Sequence, residues 1–134
     1  MDLMTIKQTI TFPAKPGDIY DAFVNARKHS LFTGAKATGD GKVGAGFTAW
    51  DGYITGRYLE LIRPRRIVQE WQTSEWPKGY PPSRVEFTFE ETDGYTKVKM
   101  VHSEVPASQA EAYEQGWFDR YWTPLQEYFS TNTR

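Results

Sequence analysis

The hydrophobic period of this chain changes for the last time at Pro106. From Phe47 to Val105, large apolar residues recur at every second position, in runs broken by turn dipeptides. Beyond Pro106, Tyr113, Trp117, Tyr121, Leu125, Tyr128 and Phe129 recur at helical spacing, with Phe118 and Trp122 widening the stripe. A period of two puts one apolar face on a pleated sheet, and a period near 3.6 puts one apolar stripe on a helix. Neither surface is stable in water alone, so face and stripe must cover each other. The order is α+β.

The remaining signals fill in that frame. Thr5 to Phe12 alternates, with Ile6, Ile10 and Phe12 on one face, and predicts a first strand ended by Pro13-Ala14-Lys15-Pro16-Gly17. Asp18 precedes Ile19, Tyr20, Ala22, Phe23 and Ala26, which suit a short helix with acid at its positive end. A second, weaker helical turn is expected over Lys28 to Phe32, and a hairpin and loop over Gly34 to Gly46. Strands are then expected at Phe47–Trp50, Tyr53–Ile62, Ile67–Thr73, Arg84–Glu90 and Tyr95–Val105. Asp51-Gly52, Arg63-Pro64-Arg65-Arg66 and Asp93-Gly94 make the turns between them, and the proline-rich Glu75–Pro82 makes a loop. This is an antiparallel meander. The terminal helix is expected over roughly Ser108 to Ser130, bent near Gly116 or Pro124. A curved sheet gripping such a helix leaves a gap wherever large side chains do not fill it.

Composition narrows the function classes. The 134 residues suit a single domain over 1–134. The chain has no cysteine, which excludes thiolate nucleophiles, thiolate metal ligands and redox switching. Sixteen Lys and Arg against seventeen Asp and Glu argue against a partner held by counterion release, so no nucleic acid is expected. No apolar run reaches the roughly 18 residues of a membrane span, and the first residues lack the pattern of a signal peptide. A cytoplasmic protein is expected. Aromatic residues make up 16% of a chain whose mean hydropathy is −0.64, so flat apolar surface is concentrated at a few places.

Several segments carry a family resemblance. Ser74-Glu75-Trp76-Pro77-Lys78-Gly79 and Ser83-Arg84-Val85-Glu86-Phe87-Thr88-Phe89 stand beside Val43-Gly44-Ala45-Gly46-Phe47, Asp51-Gly52-Tyr53-Ile54-Thr55-Gly56 and Ile67-Val68-Gln69-Glu70-Trp71. Thr96-Lys97-Val98, Val105-Pro106-Ala107 and Gly116-Trp117 complete the set in order. Together, from Ile6 to Phe129, the chain resembles the C-terminal domain of activators of the heat shock protein 90 ATPase. The resemblance implies a START-like helix-grip fold: a curved antiparallel sheet wrapped around a long C-terminal helix, with two short helices after the first strand. It also implies the chaperone as a possible partner. Nothing in these residues corresponds to the activators' separate N-terminal domain, so binding of a small hydrophobic ligand is expected ahead of chaperone stimulation.

Candidate chemistry is sparse. His102 shares the parity of Val98 and Met100 and is expected to face the helix side, near the rim of any cavity. It reads as a hydrogen-bonded structural residue rather than a general acid or base. His102 and Glu104 are the only candidates for an enzyme of cyclase or hydrolase type. His29 is expected to be solvated, and two histidines this far apart make no metal site. No cofactor is expected and no nucleophile elbow is present. Glu86, Glu90, Lys97 and Lys99 read as cross-strand pairs on a wet face, and Arg63, Arg65 and Arg66 as a solvated turn. The aromatic residues carry the sharper expectation. Trp71, Phe87, Phe89, Met100, Trp117 and Tyr121 line a chamber, with Tyr53 or His102 supplying a polar contact, or else the same residues pack solid. Trp76, Pro77 and Lys78 form the expected partner contact, unless Trp76 folds back as a lid on the sheet end.

Overall fold

The computed structural model describes residues 2–132. Strand β1 (Leu3–Phe12) is followed by helices α1 (Pro16–Val24) and α2 (Ala26–Thr33). Strands β2 (Thr38–Gly39), β3 (Gly46–Ala49), β4 (Ile54–Ile62), β5 (Arg66–Thr73), β6 (Ser83–Thr92) and β7 (Tyr95–Pro106) follow. The chain ends in helix α3 (Ala107–Trp117), a π-helical turn (Phe118–Trp122) and helix α4 (Thr123–Asn132). The seven strands form one antiparallel sheet in the order β1-β7-β6-β5-β4-β3-β2. The meander runs β2 to β7 without a crossover. Strand β1 then pairs with β7, so α1 and α2 carry the chain from one edge of the sheet to the other. Register shifts at Met4/Ile6 and Tyr58/Glu60 add the local twist that helps a sheet curve. The expected helix-grip architecture is the one present.

Local chemistry accounts for the elements. Pro16 opens α1 with its φ already helical and its missing N–H no loss there, while Asp18 lies in the positive first turn. Asn25 ends α1 and caps α2, its side chain accepting from the Lys28 N–H at 3.0 Å. Gly34, at φ 77°, closes α2 in the left-handed conformation that glycine adopts without strain. The second helix is therefore a full two turns, longer than the sequence signal. Strand β6 alternates cleanly, with Ser83, Val85, Phe87 and Phe89 buried and Arg84, Glu86 and Thr88 turned out. Glu90 faces Lys97 across the ladder and lies 3.5 Å from Lys99. The three arginines near Pro64 are divided rather than pooled. Arg63 forms a two-pronged pair with Asp21 of α1 at 2.9 Å, and Arg66 bridges Glu60 and Glu86.

A π-helical turn lies between the two residues expected to bend the terminal helix. The Thr123 N–H reaches back five residues to the Phe118 carbonyl, inserting one extra residue into the helix. Pro124 has no N–H to give and would press on the carbonyl four residues back, and a widened turn relieves both. The inward stripe runs Tyr113, Trp117, then Trp122, Leu125 and Phe129, all buried. The spacing jumps by five at the π-turn. Tyr121 is the extra residue, and it is buried as well, at 4% exposure.

Candidate functional site

Helix and sheet do not meet everywhere. A cleft of about 310 Å³ opens between the ends of β4 and β5 on one side and α3 with the π-turn on the other. Its floor is aromatic: Trp71 from β5, Tyr113 and Trp117 from α3, and Tyr121 from the π-turn. Trp71 stacks on Trp117 at 5.7 Å between centroids, Tyr113 meets Trp71 edge-on at 5.2 Å, and Tyr121 lies 5.0 Å from Trp117. One wall contains Gly116, and a Cβ built there would touch nothing within 4 Å. A helix-interior glycine costs about 1 kcal/mol relative to alanine, and no neighbour requires it here. The polar rim comprises Tyr53, Glu75, Gln109, Gln115, Asp119 and Arg120.

Two buried histidines hold the floor in place. Trp117 donates its indole N–H to His102 Nδ1 at 3.1 Å, so the ring proton sits on Nε2 and points at Ser83 Oγ at 2.8 Å. The Ser83 hydroxyl in turn donates to the Trp71 carbonyl at 2.6 Å. This chain of bonds ties both floor tryptophans to β6 and β7. His29 Nδ1 donates to the Phe23 carbonyl at 3.0 Å, leaving Nε2 to accept the Tyr121 hydroxyl at 3.0 Å. Each ring is thus a neutral tautomer with both nitrogens engaged. Burial pushes His102 down to about 3 and lowers His29 as well, the Phe23 carbonyl opposing the shift at His29. Burial likewise raises the Tyr121 phenol far above its ordinary value. At the rim, the Tyr53 hydroxyl donates to Glu75 Oε1 at 2.7 Å, and burial together with that bond pushes its pKa up to about 12. The Arg120 guanidinium lies over the Tyr53 ring at 4.6 Å and the Trp50 ring at 5.3 Å.

The structure divides the residues expected to line a chamber. Tyr53, Trp71, Trp117 and Tyr121 border the cleft. Phe87 does not; it stacks on Phe23 at 4.6 Å and borders, with Trp117 and Tyr121, a separate internal void of about 10 Å³. Phe89 packs edge-on against Tyr20 at 6.2 Å, and Met100 is 1% exposed, so neither borders either space. His102 is 0% exposed, deep in the core rather than near a rim, where it supplies no polar contact to the cleft. The reason is positional: no residue of β6 or β7 reaches the cleft wall. Alternation identifies the inward face but not where along the sheet the helix stands off. His29 is a second correction, buried at 7% exposure against Phe23, Phe32 and Tyr121 rather than solvated. Its spacing of three from Phe32 on one helical face carried that signal. Glu104 is exposed on β7 at φ 60°, away from the cleft.

Tyr113, Gly116 and Arg120 are among the cleft residues that the sequence reading did not assign to a chamber. Tyr113 belonged to the helical stripe and Gly116 was marked only as a bend and a family-like residue; nothing in the pattern marked Arg120. Trp76 folds back, stacking on Tyr113 at 6.0 Å and meeting Trp71 edge-on at 6.2 Å. Its indole donates to the Pro81 carbonyl at 3.0 Å, while Pro77 is half-buried and Lys78 exposed at the loop tip. Among the described residues no group of three or more His, Asp and Glu is placed to hold a metal ion. No helix among them is long and apolar enough to cross a membrane.

Comparison with known proteins agrees with this geometry. Residues 13–130 match the family model described as "Activator of Hsp90 ATPase homolog 1-like protein". The chain is 29% identical over 131 residues to the human activator of 90 kDa heat shock protein ATPase homolog 1, covering 98% of this chain and 38% of that one. It is 33% identical over 132 residues to a Dictyostelium discoideum homologue, covering 97% of this chain and 34% of the other. The chain thus spans little more than a third of these curated relatives. A crystal structure of an HSP90 activator from Plasmodium falciparum superposes with a TM-score of 0.81 at 27% identity, over 88% of this chain and 90% of that one. The helix-grip sheet, the terminal helix and the family match over residues 13–130 place the chain in the activator of Hsp90 ATPase homolog 1-like family.

Proposed function

We propose that this domain binds a small, flat, largely apolar ligand in the cleft between sheet and terminal helix and performs no chemistry on it. The observation that carries this reading is the cleft itself: an aromatic floor beneath a polar rim, beside a glycine that nothing else requires. Pockets of this size and lining suit small molecules held mainly by burial of apolar surface. The absence of a reaction is argued from the histidines. Both are neutral, buried and saturated with hydrogen bonds, so neither offers a proton to a bound molecule. A thermal-shift screen of fatty acids, sterols, flavonoids and aromatic polyketides tests the proposal. A ligand at a hundredfold excess over its Kd adds about 2.7 kcal/mol to stability, several degrees in Tm at this size. Trp117→Ala, measured against its own ligand-free Tm, should lose that shift. A flat response to all four classes would refute the reading.

A second reading is favoured by the relatives: a co-chaperone that stimulates the heat shock protein 90 ATPase. The loop tip at Pro77 and Lys78, braced by Trp76, is the contact it would use. Purified chaperone should then hydrolyse ATP faster when this protein is added, and Trp76→Ala should abolish the increment. Stimulation that survived the substitution would move the contact elsewhere.

A further inference from the structure

The cleft has one feature that a purely apolar ligand would not use. Arg120 sits half-buried on the π-turn at the mouth, its guanidinium laid over Tyr53 and Trp50. Among the described residues it forms no hydrogen bond and no ion pair. Four other arginines are each paired with a carboxylate: Arg57 with Glu70, Arg63 with Asp21, Arg66 with Glu60 and Glu86, and Arg84 with Glu86. Held over two ring faces and bonded to no acceptor among the described residues, the guanidinium keeps its fork of N–H donors available for a planar acceptor. The rim carboxylates are differently placed. Glu75 accepts the Tyr53 hydroxyl and Asp119 accepts the Gln115 amide at 3.0 Å, and both are exposed, where water and salt screen them. A half-buried cation acts on a ligand more strongly than an exposed anion at similar range.

We infer that the ligand is an aromatic acid, its ring on the Trp71 and Trp117 floor and its carboxylate paired with Arg120. This rests on the cleft reading above and names the chemical class it takes. The π-turn is what brings the two halves together, since the one inserted segment carries both Tyr121 of the floor and Arg120 of the mouth.

Three probes of one shape separate the possibilities by calorimetry at low salt: 2-naphthoate, its neutral isostere 2-naphthamide, and 2-naphthylmethylamine. A charge-assisted pair in a partly desolvated site corresponds to about tenfold or more in affinity. The wild-type protein should therefore bind naphthoate at least about tenfold tighter than naphthamide, and the amine most weakly. Arg120→Gln should bring the naphthoate to naphthamide ratio to within about twofold, and Arg120→Lys, which keeps charge but loses the fork, should fall between. An equal wild-type affinity for naphthoate and naphthamide overturns the inference without any variant. So does a ratio that survives Arg120→Gln, or an amine that binds tightest, which would assign the charge preference to Glu75 and Asp119. In each of those outcomes naphthamide still binds and the cleft reading stands. If none of the three binds, the cleft reading itself fails and this inference fails with it.

Discussion

Lowering the pH should loosen this domain through His102, beginning above the range in which carboxylates titrate. Its Nδ1 faces the Trp117 N–H donor, so a proton added there sets donor against donor and breaks the bond that fixes Trp117. The unfolded chain takes up this proton near pH 6.5, whereas the folded chain does so only at about 3. Between those values unfolding binds a proton, so stability falls as the pH falls, by about 1.4 kcal/mol per unit. From pH 7.0 to 4.5 the loss from His102 alone is about 2.5 kcal/mol. That is a large part of the roughly 7–20 kcal/mol expected for a domain of this length. His29, also depressed by burial, adds to the loss in the same direction. Asp21, held below the ordinary carboxylate value chiefly by its hydrogen bonds from Arg63, contributes at the acid end and below. Urea melts at the two pH values, on wild type and His102→Gln, measure the effect. The variant should be less stable at pH 7.0 but lose about 2.5 kcal/mol less on acidification. An equal loss in both proteins would mean that folding does not exclude the His102 proton. An NMR titration in which His102 protonates near pH 6 in the folded protein would refute the reasoning independently.

Two glycines make opposite predictions. Gly116→Ala should stabilise the fold by about 0.5–1 kcal/mol, since helix propensity improves and no atom is displaced, while weakening any ligand in the cleft; denaturant melts and calorimetry read the two effects. Gly56→Ala should cost about 2 kcal/mol or more, because a Cβ there would lie 2.0 Å from the Glu70 carbonyl oxygen and 2.6 Å from the Phe47 ring. Denaturation of that variant with an unchanged midpoint would show that the sheet yields at this position.

Pattern alone placed the sheet and helix because each period runs long enough to define one apolar face. Val85, Phe87 and Phe89 have one inward parity, and the structure keeps it. The cleft is a different kind of quantity, depending on the distance between helix and sheet at each point, which parity does not encode. Phe87 and Trp71 have the same inward sense and both meet Trp117, yet only Trp71 borders the cleft. The π-turn is hidden for a related reason. With apolar residues at 117, 118, 121 and 122, the stripe reads equally well with or without an inserted residue. Arg120 and Gly116 acquire meaning only from what surrounds them, a pair of rings in one case and empty space in the other.

The most direct test of the central claim, that the cleft is the binding site, is an intermolecular NOE experiment with 2-naphthamide as the probe. The ring protons of the probe should show cross-peaks to the Trp71 and Trp117 indoles and the Tyr121 ring, the residues that form the cleft floor. Cross-peaks confined to residues elsewhere on the surface, or none at all at saturating probe, would contradict it.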